Sequence, residues 1–432
     1  MSQRFQDTHK YKAIDFTRDR KLGFVTTINI MLKKSGKSLQ NTLIDAKEKL
    51  VTFSHKAYES VTSSAYTRAR AKLNYTAFIE LYRVVREHFY EDGDYHKYKG
   101  FRVLAIDASK IILPNSESIK KRFTPTVAKN QIIEFSKEVI QARASVLYDL
   151  HNNIIIDAVL EDKAYGERQL AVSHLEYVQK NDLIIFDRGY PSFELFENIM
   201  KSNADFLVRI RRNSFKQVAF MFHKDCKIDD ITMIIKAPKI NTKDLFREIV
   251  KPLQIRFIRV VLDNGEIEVL ATSVLDQTIL QQTDFKELYH QRWGIETFFH
   301  ILKNRLSLEN FTGYSALAVQ QDFYITMFLS NYESLLVYDT NIALNEKSKN
   351  YKNRQKVNKS ISFNIIKQKS FELFHSNLDS DTLLSEMQKL FILTPTSIRT
   401  NRKYKKRLDK EKDKSTIMTN SANFYKRKKK VI

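Results

Sequence analysis

From residue 101 the apolar pattern of the chain changes period, and that change limits the folds open to it. FRVLAIDASKIILP, VIQARASVLYDL and NNIIIDAVLE are β-rich stretches separated by turn residues, and they read as three successive strands. Residues 167–179 (ERQLAVSHLEYVQ) then take helical spacing, LIIFD at 183–187 reads as a short buried strand, and residues 192–201 return to helix. Strands and helices alternate, so the expected class is α/β.

The flanks differ. Residues 1–95 place apolar positions at helical spacing among Lys and Arg and contain no Pro, which predicts a helical N-terminal domain. Gly36, after Lys33 and Lys34, reads as a helix C-cap before a second helix, a layout compatible with helix-turn-helix binding of DNA, although most helix pairs bind none. Residues 205–281 are again strand-like, with Asp263-Asn264-Gly265 as a hairpin turn, and read as a β-rich insertion. One long amphipathic helix is expected over 284–305, a buried helix over 316–338, a solvated basic loop over 347–359 and a final helical segment over 363–393. The division expected is thus 1–95 as a DNA-binding domain, 96–340 as the core, and 341–432 as a basic C-terminal region and tail.

Charge narrows the partner. The 432 residues carry a formal net charge of +22, which costs self-repulsion in a compact chain unless a polyanion offsets it. Residues 399–432 hold 14 Lys or Arg against three acids, so half of the excess lies in the tail and half in the body. A basic body suggests a surface that follows phosphates. Cys226 is the only cysteine, which excludes a disulfide framework and a cysteine-rich zinc site and fits a reducing, cytoplasmic setting. No apolar run approaches the roughly 18 residues that span a bilayer, so no membrane partner is expected. The ten histidines show no zinc-protease spacing.

Two carboxylates stand on apolar strands: Asp107 follows Val103, Leu104 and Ile106, and Asp187 ends LIIFD. A buried ionised carboxylate must be paired, hydrogen-bonded or metal-bound. Each alone is adequately read as an Asp capping the next turn. In YHQRWGIETFFHILK, Tyr289, Arg292, Glu296 and Lys303 fall at i, i+3, i+7 and i+14, within roughly 60° on one helical face. A salt-bridged surface gives the same pattern. Trp293, the one tryptophan, is expected in the core behind that face, and Glu167 is explained by the dipole of the helix that it opens.

Tyr, two residues, Arg, three residues, Glu, six residues, Lys resembles the signature of the DDE transposases of insertion-sequence family four. The resemblance extends to Asp107 in AIDASKI, to Asp187 in FDRGY and to the long β insertion before Glu296, covering roughly residues 15 to 340. It implies a ribonuclease H-like catalytic core interrupted by a β-rich insertion, with Asp107, Asp187 and Glu296 holding two Mg²⁺ ions, for which Mn²⁺ can substitute, as hard cations suit carboxylate and phosphate oxygens. Tyr289, Arg292 and Lys303 would grip DNA phosphates, with Arg188 a further candidate that reads equally well as a structural ion pair. The implied partners are double-stranded DNA, both the element's terminal inverted repeats and the target, and a second copy of the chain on DNA. Two other readings keep the same residues: a transposase-derived DNA-binding protein without catalysis, and a two-metal nuclease without strand transfer.

Overall fold

The computed structural model describes residues 1–18, 22–34, 38–54, 61–124, 139–237, 251–375 and 379–398. Gly36 and the basic tail from Arg399 onward, both singled out in the sequence, lie outside these residues.

The first hundred residues are helical as expected, with α1 (Gln3–His9), α2 (Phe24–Leu32), α3 (Leu39–Ser54), α4 (Ser63–Arg70) and α5 (Thr76–Glu91). In α5, Phe78, Tyr82, Val85 and Phe89 recur three or four residues apart and form its buried face.

The sheet begins with β1 (Arg102–Ile112), followed by α6 (Glu117–Phe123), β2 (Gln141–Asp149), β3 (Ile154–Asp162), α7 (Glu167–Ser173), β4 (Asp182–Phe186), α8 (Phe193–Lys201) and β5 (Asp205–Ile210). β1, β2 and β3 form an antiparallel meander, whereas β4 runs parallel to β1 and β5 parallel to β4. Parallel neighbours need a crossover, and α8 supplies it between β4 and β5. Val103–Ile106 of β1 and Leu183–Phe186 of β4 are unbroken apolar runs because these stretches are buried on both faces of the sheet.

Residues 205–281, expected as a β-rich insertion, supply strands to the main sheet. β5 belongs to the run that starts with β1, and β6 (Asp230–Ile235), β7 (Leu253–Val261) and β8 (Ile267–Thr272) extend that edge into one eight-stranded sheet of order β3-β2-β1-β4-β5-β8-β7-β6. The Asp263-Asn264-Gly265 turn does join β7 to β8, with Gly265 at φ +80° and its N–H donating to the Leu262 carbonyl.

The helix expected over 284–305 is two helices, α9 (Asp284–His290) and α10 (Trp293–Asn304). At the break, the Gly294 and Ile295 amides donate three residues back, to Gln291 and Arg292 carbonyls, so the helix tightens for a turn. A Cβ on Gly294 would stand 2.9 Å from Leu150 Cδ2, which shows how closely the start of α10 lies over the β2–β3 turn. Helix α11 (Ala316–Lys347) is buried along most of its length and packs against α5 and β3. Its Asn331 accepts from the Ile155 amide at 2.7 Å and donates to the Ile155 carbonyl at 2.9 Å. That side chain replaces the missing neighbour of edge strand β3.

The basic stretch 347–359 is not simply a solvated loop: Lys359, which opens α12 (Lys359–His375), reaches the fully buried Glu333 at 2.7 Å. α13 (Ser380–Ile392) completes the described C-terminal helices. Among the described residues, no helix is long and apolar enough to cross a membrane.

Candidate functional site

The register of β1 against β4 places the two strand carboxylates. Arg102 and Asp182 are paired across the first rung, where the guanidinium donates two parallel hydrogen bonds of 2.7 Å to the carboxylate, both groups being buried. This two-pronged bond fixes the strands against each other. Counting five residues along both strands from that rung brings Asp107 level with Asp187, just past the last paired residues of β4. Side chains alternate along a strand, so Val103, Ala105 and Asp107 share one face, as do Leu183, Ile185 and Asp187. On that face lie the apolar residues of α9 and α10, namely Phe285, Leu288, Ile295 and Phe298.

Asp107 is largely buried, and its Oδ1 accepts one bond, 2.8 Å from the Ala108 amide. Burial pushes its carboxyl up to about 6; the Ala108 amide and Arg292 pull it back, whereas Glu296 and Glu167 push it further. Asp187 Oδ1 is buried without a hydrogen-bond partner and lies 3.6 Å from the Arg209 guanidinium. Glu296 sits in the first turn of α10, where the helix dipole favours a carboxylate, and Arg292 donates to it at 2.7 Å.

The remaining signature residues divide. Tyr289 and Arg292 are both buried at the α9–α10 break. Burial raises the Tyr289 hydroxyl to about 12, with Arg292 and Arg209 opposing and Asp187 adding to the shift, and among the described residues the hydroxyl has no hydrogen-bond partner. Burial also disfavours charge on Arg292, but its bond to Glu296 and the nearby Tyr289 and Asp187 outweigh that and hold the guanidinium above its usual value. Lys303 lies farther along β1, donating to the Lys110 carbonyl at 2.8 Å and standing 3.6 Å from Glu309. Arg188 does not join the acids: it is exposed and, one residue from Asp187, belongs to a separate basic groove with Arg168 and Arg211.

Three neighbours are legible only in the fold. Arg209 on β5 is level with Asp187, because Phe186 pairs with Val208, and it also binds Glu268. Tyr190 is buried beneath Asp107 and Glu167, its hydroxyl unpartnered and pushed far above the usual phenol range first by burial and then by those two carboxylates. Glu167, set aside in the sequence as a helix-dipole residue, is close enough to Asp107 to raise its pKa.

Trp293 overturns its expected place. It is 55% exposed beside the signature residues, with the Arg292 guanidinium 5.2 Å from its ring centre.

The three acids therefore share one face but are not gathered as a ligand cluster: among the described residues, no three His, Cys, Asp or Glu side chains stand close enough to hold a metal ion. The Arg292–Glu296 bond occupies a glutamate oxygen that a cation would need.

Residues 98–332 match the family of the transposase DDE domain. Among solved structures, the chain is similar to the piggyBac transposase synaptic complex with hairpin DNA, at a TM-score of 0.41 and 11% identity, covering 90% of this chain and 78% of that one. It is similar also to the Mos1 transposase paired-end complex with left transposon end, at a TM-score of 0.18 and 8% identity, covering 46% of this chain and 62% of that one. No curated protein matches the chain in sequence.

Proposed function

Because its match spans residues 98–332, over half of its length, the chain belongs to the transposase DDE domain family, and from that premise we propose that it is a DNA transposase of the insertion-sequence family four type. The Tyr289, Arg292, Glu296, Lys303 spacing supports the finer assignment. The order and direction of β1 to β5 support a ribonuclease H-like core.

The observation that carries the reading is the common face of Asp107, Asp187 and Glu296, set by the Arg102–Asp182 rung and by α10. The donor set suits hard divalent cations: it consists of carboxylates, one Asp107 oxygen takes a single amide bond, and a buried Asp187 oxygen has no hydrogen-bond partner. Asp107, Asp187 and Glu296 would hold two Mg²⁺ or Mn²⁺ ions, which when bound supply activation of the attacking oxygen and stabilisation of the leaving 3′-oxygen.

The chain's own contribution is to position DNA. Arg292 is shared between Glu296 and the site; a phosphate that takes its guanidinium frees the glutamate oxygen, so DNA and cation binding support each other. Tyr289, with an unpartnered buried hydroxyl, has a donor free for a phosphate oxygen, and Lys303 at the rim adds charge. Water attacking the phosphodiester at the element end would release a 3′-hydroxyl and leave a 5′-phosphate, and that 3′-hydroxyl, losing its proton, would attack a target phosphodiester in the same site, forming the joining bond as the target strand's 3′-oxygen leaves and takes up a proton. Pairing two ends calls for a second copy of the chain on DNA.

The test is cleavage of a DNA fragment bearing the gene's own flanking sequences, in Mg²⁺ and then Mn²⁺, against a Glu296→Gln variant. New 3′-hydroxyls at the element boundary, absent with the variant, and joined products with target DNA are the expected result. Binding without cutting in either metal would replace this reading with that of a DNA-binding descendant, and cutting without joining with that of a nuclease.

A further inference from the structure

On the sheet face opposite the acids, four segments distant in sequence converge on a groove of about 590 Å³: α7, the turn between β4 and α8, the loop after β5, and the end of β6. Its lining includes Arg168, Arg188, Arg211, Lys216 and Lys236 and no acidic residue. All five cations are exposed, and none has a carboxylate within ion-pair distance among the described residues. Elsewhere in this protein exposed cations commonly find one, as in Lys99–Asp284, Lys286–Asp263 and Lys201–Glu197. Five unneutralised cations around one concavity repel one another, and the cost is recovered only when an anion enters.

The groove also has a fixed relation to the site. Arg168 donates through Nε and Nη2 to the Gly189 carbonyl, both at 3.1 Å, and Gly189 lies in the turn that carries Asp187 and Arg188. The chain therefore passes directly from the Asp187 carboxylate to the first groove cation, Arg188, the next residue.

We propose that this groove is a DNA phosphate-backbone site, which takes the duplex on the side of Asp187 away from α10 and binds it without reading its bases. The assignment rests on the transposase reading for its ligand and on the unpaired cations for its place. The five cations suit phosphate oxygens, and contacts to phosphate fix the position of a duplex without carrying sequence information.

The experiment is fluorescence anisotropy of the full chain on a labelled duplex of random sequence, without divalent cations, across a KCl series. Each phosphate contact contributes about 0.9 to the slope of log affinity against log salt. The Arg211→Gln/Lys216→Gln variant should lower that slope by about 1.8. Lys180→Gln/Lys201→Gln, which removes the same charge away from the groove, should lower it far less. A wild-type slope in the groove variant, or an equal loss in the control, overturns the proposal. Both groove positions are exposed, so the variant should keep the wild-type urea midpoint; if it does not, Arg211→Gln/Lys236→Gln is used under the same criterion. End cleavage by the wild-type chain together with an unchanged groove slope sinks the groove alone. A lowered slope in a chain that cuts no DNA end sinks the catalytic reading and leaves the groove.

Discussion

Replacing Arg102 by Met tests the rung that aligns the site. Arg102 and Asp182 are 6% and 2% exposed at the side chain, and their two 2.7 Å bonds are joined by one of 2.8 Å from the Gln179 amide to the same carboxylate. An exposed ion pair would contribute about 0 to 1 kcal/mol, but removing one partner of a buried pair leaves an uncompensated charge and costs about 3 to 5 kcal/mol. The Arg102→Met variant should lose that amount in urea unfolding, as a shift in midpoint with little change in slope. Arg102→Met with Asp182→Leu should recover part of it, because neither member of the pair is then left without the other, while the buried Asp149 still loses its neighbouring guanidinium. Since the same rung sets Asp107 level with Asp187, the double variant should also cut DNA more slowly than its recovered stability would suggest. A loss under about 1 kcal/mol for the single variant, or a double variant no more stable than the single, would refute the argument that burial makes this pair essential.

Other perturbations follow from the same structure. Lys34 is buried with its ammonium bound to the Leu308 carbonyl at 3.4 Å, and burial pulls its pKa from 10.5 down to about 8. The folded state thus disfavours the charge, a penalty of about 3 kcal/mol that is complete below pH 8 and gone above the unfolded value near 10.4. Lys34→Met should stabilise the protein at pH 7, and urea midpoints at pH 7 and pH 9 should show the gain shrinking with pH; a pH-independent change would contradict this. A Cβ at Gly313 would stand 2.6 Å from Ala318 Cβ, at the start of α11, where neither atom can swing aside. Gly313→Ala should cost about 1 to 3 kcal/mol, measured as a lowered thermal midpoint.

What the sequence displayed was local. The change of period at residue 101, the hairpin at 263–265 and the helices of the first hundred residues are written in nearest-neighbour patterns, and each stands where it was expected. The spacing of Tyr289, Arg292, Glu296 and Lys303 was legible too, but their geometry was not. A periodicity argument assumes one unbroken helix, and the turn at 291–292 separates Tyr289 from Glu296, with Trp293 exposed to solvent. Residues 205–281 read as a β-rich insertion without a placed partner because strand patterns carry no information on partners; hydrogen bonding between strands makes them part of the main sheet.

By itself the sequence determined the alternation of strands and helices, the excess of positive charge and the identity of the acids, since all three depend on residue type and order. Tertiary structure alone decided that Asp107 and Asp187 stand level, that Arg209, Tyr190 and Glu167 surround them, and that Arg188 turns to a basic groove instead. Those relations come from strand register and from packing between residues about 20 to 80 positions apart, which depend on the chain closing around one sheet.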